Sequence, residues 1–219
     1  MTECYTTNLN HPNNYVLTQV PDIDVETMWA LQTMAKSNNK GLIAKVSDPI
    51  TFGFLEDNGF KLVSTTAITK MNIRDYVGDP VVTVNELESD LKQELLILLR
   101  DHYERIHRVN PASQKINYTS LTFENKQFDS EHSIVRLSQQ HIVAAILIFK
   151  DNRDFQVGWS FGDDVSELLM LWRDLLGILP VGNVLHADFD DTDVIATVVY
   201  DAFVWRKIST EYTLLWQSI

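Results

Sequence analysis

The sequence predicts a mixed α/β (α+β) protein made of two related units, each a mixed, mainly antiparallel sheet flanked by helices. Two observations carry this expectation. First, a pattern near the start returns at the end: Leu42–Asp48, Pro49–Phe60 and Lys61–Ile73 read as strand, helix and strand, and so do Val184–Asp190, Val194–Trp205 and Arg206–Ile219. Placing Phe60 on Trp205 brings Ser64-Thr65 onto Ser209-Thr210 and Asp48 onto Asp193, as one unit used twice would. Second, two kinds of connection alternate in the later part. Ser133–Ser138 and His141–Phe149 are joined by Gln139-Gln140 alone, a hairpin length, whereas a helix separates Phe155–Phe161 from Val184–Asp190. Hairpins together with a crossover make a mixed sheet that helices must cover.

In chain order, residues 1–14 are rich in Asn and Thr and read as a flexible lead-in. Tyr15–Val20 reads as a strand, and Asp22–Ser37 as a helix with Val25, Met28, Trp29, Leu31 and Met34 on its apolar face. Asn38 to Gly41 ends it, with the glycine expected to supply the left-handed cap. Asp48 stands at an N-cap and Pro49 at the first helical position, while Asn58-Gly59 predicts a helix end with a positive φ at Gly59. These elements make residues 15–73 one partial unit. Residues 74–85 (RDYVGDPVVTVN) have no periodicity and read as a linker. Thr83 and Glu86 form a capping box before a long helix carrying Leu87, Leu91, Leu95, Leu98, His102 and Ile106, which stops before Asn110-Pro111. Leu121–Phe123 reads as a strand ahead of the hairpin, and Asp151–Asp154 as a turn. Val165–Leu176 is a helix with Leu168, Leu169, Trp172 and Leu176 on one side. Residues 86–219 thus form the second, fuller unit.

The chain of 219 residues carries 18 basic and 30 acidic side chains, a formal net charge of −12. Such a field repels nucleic acid and acidic membrane surfaces, so neither is an expected partner. The polar N-terminus lacks a signal-peptide pattern, and a single cysteine, Cys4, cannot make an internal disulfide; both lead to an expectation of a cytoplasmic protein.

The order strand, helix, strand, helix, closing on an aromatic, resembles the GNAT superfamily of N-acetyltransferases. Phe54–Phe60 (FLEDNGF) is similar to the end of that family's last helix. The resemblance covers nearly all of roughly 86–219 and the later half of a domain in roughly 15–73, which implies a tandem whose N-terminal copy lacks its opening strands. It also implies acetyl-CoA as co-substrate, held by a glycine-bearing loop at a helix start, where main-chain N–H groups and the helix dipole attract phosphate. The corresponding residues are Val157, Gly158, Trp159, Ser160 and Gly162. Acids crowd that helix start (Asp163, Asp164, Glu167) and the matching one in the first unit (Asp22, Asp24, Glu26), where they cap the helix but oppose a phosphate.

Tyr200, five residues before Trp205, matches the family's proton donor to the departing thiolate; Leu55 holds that place in the first unit. His186 is the candidate general base, main-chain N–H groups of the fourth strand the candidate carbonyl polariser, and a small-molecule or peptide amine, cationic by preference, the acceptor. The run Asp188, Asp190, Asp191, Asp193 could hold a cationic amine or a divalent metal; no metal is assigned, and His102 and His107, five apart, lie on different helix faces. Two functions stand at this point: acyl transfer from acetyl-CoA to an amine, or a catalytically silent fold kept for binding or assembly. The oligomeric state stays open.

Overall fold

The computed structural model describes residues 4–152 and 154–217. Ten strands run in chain order as β1 (Tyr5–Thr7), β2 (Asn14–Leu17), β3 (Gly41–Val46), β4 (Lys61–Asn72) and β5 (Val82–Thr83), then β6 (Phe128–Ser138), β7 (His141–Asp151), β8 (Asp154–Gly162), β9 (Val184–Asp190) and β10 (Arg206–Trp216). Six α-helices accompany them among the described residues: α1 (Val25–Ser37), α2 (Pro49–Asp57), α3 (Ser89–Ile106), α4 (Tyr118–Leu121), α5 (Val165–Ile178) and α6 (Val194–Ala202). All ten strands belong to one mixed sheet in the order β1-β2-β3-β10-β4-β9-β8-β7-β6-β5.

That order separates strands that follow one another in the chain. The last strand, β10, enters between β3 and β4 and is antiparallel to both, while β4 runs on to pair with β9. The two stretches that repeat in the sequence both adopt strand-helix-strand, and they share a single sheet rather than forming one each. In the β4–β10 ladder Thr66 faces Glu211. The spacing that puts Phe60 on Trp205 also puts Thr66 on Glu211, so the crossing point of the two strands is a pair of equivalent positions.

Side-chain alternation assigns the helices to faces. On β7, Ile146 and Ile148 pack with Leu168, Trp172 and Leu175 of α5, whereas Ala145 and Leu147 pack with Leu95 and Leu99 of α3. On β4, Ala67 joins the α5–α6 cluster, and Thr65, two residues earlier, faces Tyr212, which packs with the α1–α2 cluster. The helices α1, α2, α5 and α6 therefore cover one face, and α3 covers the other.

Several sequence expectations are met by local chemistry. Asp48 accepts from Thr51 N at 2.8 Å, and Gly59 has φ +83°. Gln139 and Gln140 both take positive φ, the turn a two-residue hairpin needs.

Others are corrected. The stretch expected to be a loose lead-in is tied down at two places: β1 pairs with β2, and His11 is 5% exposed, while residues 6–9 stay exposed. The reason is that His11 finds hydrogen-bond partners on α3 and its following turn, which the N-terminal sequence does not reveal. Asn39, not Gly41, is the left-handed residue after α1; Gly41 begins β3, with Asn14 and the Trp216 carbonyl too close for a side chain. The Thr83–Glu86 capping box closes a single 3-10 turn, Val84–Glu86, and α3 starts afresh at Ser89. Leu121–Phe123 is no strand: Asn117 caps the short helix α4 through Thr119 N and Ser120 N. No helix among the described residues is long and apolar enough to cross a membrane.

Candidate functional site

The parallel strands β8 and β9 are paired at only two positions, Phe155–Leu185 and Gln156–His186. Beyond them β8 follows its ladder to β7 and β9 follows its ladder to β4, so the two diverge. A cleft of about 520 Å³ occupies the split, bordered by Val157–Ser160 on one side and Ala187–Asp190 on the other. It is lined from both faces of the sheet: Trp172 of α5 and Val199 of α6 from one, His102, Tyr103 and His107 of α3 from the other. Only a break between strands allows a cavity to reach through a sheet.

The register of β7 with β8 shifts beside Gly158, between Leu147 and Ile148. A side chain at Gly158 would collide with the Phe149 ring, which would have to shift to admit it. Next to it, the Trp172 indole N–H donates to Ser160 Oγ at 2.8 Å and pins the β8 wall to α5.

On the α3 side the roof is aromatic and imidazole. Tyr103 Oη and His11 Nε2 lie 2.7 Å apart, His11 Nδ1 lies 2.8 Å from the Asn110 carbonyl, and His107 Nδ1 lies 2.8 Å from the Tyr103 carbonyl. His107 stacks on the Tyr103 ring at 4.1 Å and meets the His11 ring at 4.6 Å with a tilt of 33°. The three rings form a cluster in which His11 and Tyr103 are 5.6 Å apart. Burial lowers the pKa of His102 to about 4, with Arg105 and His107 adding to the effect and Asp193 opposing it. Burial lowers His107 too, and raises the Tyr103 hydroxyl.

The floor is acidic. Asp188 lines the cleft with its carboxyl still reachable by solvent, and partial enclosure together with Glu211 raises its pKa against the pull of Lys45. Lys45 also reaches Glu211 at 2.9 Å. The other acids of the run are committed locally: Asp190 to Thr192, Asp191 to Thr65 N and Asp193 to Ile195 N. No three His, Cys, Asp or Glu side chains among the described residues converge as a metal site.

Of the residues that the sequence singled out, Val157, Gly158, Trp159 and Ser160 line the cleft. Gly162 lies beyond its end, at the last position of β8. Tyr200 stands one residue past the lining Val199, its ring 5.4 Å from that of Phe189. His186 is outside the cleft, its Nε2 3.5 Å from Asp154; the alternation of β9 turns it away from the α5–α6 core, and the split opens only after it.

For the acetyl-CoA that the resemblance implies, the two ends of the site differ. The split fits a slender acyl-thioester arm, because unpaired strand edges face each other across it. The start of α5 does not fit a diphosphate: Asp164 already accepts from Ser166 N at 2.7 Å, Asp163 stands beside it, and Glu167 lies 3.3 Å from Arg136.

No protein-family model matches the sequence, and no curated protein sequence matches it either. Solved structures do. A GCN5-related N-acetyltransferase from Sphaerobacter thermophilus superposes with a TM-score of 0.70 at 8% identity, over 97% of this chain and 76% of the other. A GCN5-related N-acetyltransferase from Kribbella flavida gives 0.51 at 10% identity, over 94% and 82%. A GNAT-family acetyltransferase from Colwellia psychrerythraea gives 0.50 at 10%, over 98% and 80%. The fold is the GNAT fold.

Within this GNAT fold the sequence reading missed the roof. His102 was placed on the stripe of the long helix and His107 on another face, yet both line the cleft, and His11 was placed in a loose lead-in. The one usable signal was two histidines at the C-terminal end of a long amphipathic helix, next to an Asn-Pro stop.

Proposed function

We propose that the chain is a divergent GNAT-type acyltransferase that moves an acetyl group from acetyl-CoA to an amine. The observation that carries this reading is the split between β8 and β9, with its cleft reaching through the sheet. Acetyl-CoA would supply an activated thioester carbonyl there. Main-chain N–H groups of Val157–Ser160 would polarise that carbonyl, and the walls would exclude water. Asp188 on the floor suits a cationic acceptor. Tyr200, beside the lining Val199, is the proposed proton donor to the leaving thiolate. We further infer a tandem origin: two GNAT-like units that lend each other a last strand, as the equivalent pair Thr66–Glu211 at the crossing of β4 and β10 supports.

Calorimetric titration with acetyl-CoA, followed by a mass-resolved assay against a panel of cationic amines, tests the reading. Binding at a hundredfold excess over Kd stabilises a protein by about 2.7 kcal/mol, which thermal melts detect. Replacing Asp163 and Asp164 by Asn keeps a capping side chain, removes two opposing charges and should tighten binding, most at low salt. If neither wild type nor this variant binds acetyl-CoA, the enzyme reading fails and a silent binding module takes its place. Within the enzyme reading, Tyr200→Phe should lower turnover by roughly two to four orders of magnitude.

A further inference from the structure

Three imidazoles line the cleft, and their hydrogen bonds leave them in different states. A carbonyl oxygen only accepts, so His11 Nδ1, at 2.8 Å from the Asn110 carbonyl, carries the proton. Its Nε2 is then the acceptor for the Tyr103 hydroxyl at 2.7 Å, and both nitrogens are spent. His102 Nδ1 accepts from the Arg105 guanidinium at 3.1 Å, so its proton sits on Nε2 and no lone pair is left over. His107 Nδ1 donates to the Tyr103 carbonyl at 2.8 Å, which leaves Nε2 of the neutral ring with a lone pair that no partner among the described residues takes. Tautomers here follow from the chemistry of the partners.

We propose that Nε2 of His107 is the general base of this cleft, with the main chain of Tyr103 fixing its tautomer and the rings of Tyr103 and His11 packing against it. The proposal rests on the acyltransferase reading and adds the residue that receives the acceptor's proton. The amine lone pair forms a C–N bond to the acyl carbon of a thioester as the C–S bond breaks. An acceptor that arrives as an ammonium first gives one proton to Nε2 and from there to water, which frees the lone pair. The second nitrogen proton, lost as the amide forms, passes to water while the thiolate leaves with a proton from Tyr200 or water. Amine and thioester become amide and thiol, and the enzyme is unchanged.

The surroundings keep the base available. Burial, His11 from the N-terminal segment and Lys45 from β3 favour the neutral ring, while the Tyr103 carbonyl and Asp190 from β9 favour the charged one. Burial is the largest of these, and the ring titrates below an ordinary histidine. It is therefore neutral and able to accept at neutral pH. Asp188 lies across the cleft, where an incoming ammonium group would be drawn.

Two measurements on the full chain test this. Long-range ¹H–¹⁵N correlation spectra of histidine-labelled protein read the tautomer directly; we expect His107 protonated on Nδ1 and titrating below pH 6.5. Kinetics of His107→Gln should show kcat/KM lower by roughly 10²–10⁴-fold with KM little changed and the acid limb of the pH profile gone. Added imidazole should restore part of the rate to His107→Ala. Spectra with the proton on Nε2, or an active wild type that His107→Gln equals, overturn the role of His107 and leave the acyltransferase reading standing. A wild type that acetylates no amine removes that reading, and the base with it. The spectra need no active variant, so misfolding of a mutant does not protect the proposal.

Discussion

Gly59 shows how much one residue can settle locally. Its N–H donates to the Glu56 carbonyl at 2.9 Å and the Phe60 N–H to Leu55 at 3.0 Å, a Schellman close that needs the φ of +83°. Gly59→Ala should cost about 1–2 kcal/mol, the left-handed penalty of an L-residue, seen as a lower urea midpoint at unchanged slope. An unchanged midpoint would mean that α2 ends elsewhere. His102 makes a second residue-scale prediction. Its folded pKa, about 4, lies below the unfolded value, so between pH 6.5 and 4 the unfolded chain binds more protons. Stability should be complete above pH 6.5 and fall on acidification, by at most about 1.4 kcal/mol per pH unit from this group. His107 acts in the same direction. His102→Gln should flatten the slope in that window; a slope as steep as wild type would assign it to other groups. Gly59 was legible in the sequence because every partner lies within five residues. The state of His107 was not, because its ring is held by His11 and its charge is set partly by Lys45 and Asp190.

Among elements, α5 does the most joining. Its first turn is capped by Asp164, and two of its acids hold Arg136 of β6: Asp174 at 2.7 Å and Glu167 at 3.3 Å. Asp174 is 5% exposed and also accepts from Asp79 N of the connecting segment at 3.0 Å. Arg136→Met would leave that carboxylate buried without its cation, a loss of about 3–5 kcal/mol. A drop in Tm of roughly 2–4 °C per kcal/mol would register it. If Arg136→Met melts like wild type, Asp174 must be satisfied by other groups. The helix was legible from Leu168, Trp172 and Leu176 at helical spacing. Glu167 was read with Asp163 and Asp164 as a cap opposing phosphate, and Asp174 was not singled out. That Glu167 and Asp174 hold an arginine on β6 depends on which strand lies under the helix, and periodicity is silent about that.

At the scale of the whole molecule the crossing of β4 and β10 governs behaviour. The exposed stretch 74–80 is the only covalent tie between two parts that are also interlocked through adjacent ladders, from Arg206–Lys70 to Leu215–Lys61 and from Tyr212–Val46 to Trp216–Leu42. A chain nicked within 74–80 should therefore run as one particle in size-exclusion chromatography and melt in a single transition. Separation into two folded pieces would show that the ladders do not couple them. Ending the chain after Trp205 should abolish cooperative unfolding, because β3 and β4 lose their common neighbour.

By itself the sequence determined the conformation of most segments, the strand-helix-strand pattern near both ends and the resemblance to acetyltransferases, because caps, turns and periodicities act over a few residues. Residues 157–160 and Gly162 were named for cofactor binding only through that resemblance; in the structure they belong to β8, and 157–160 line the cleft. The tertiary structure decided the rest: that β10 enters between β3 and β4, that β8 and β9 part after Gln156 and His186, and that His107 rather than His186 faces the cleft. Each of these depends on pairing between segments far apart in the chain, where the stabilising contact forms only after both partners have been brought together and leaves no local mark on either.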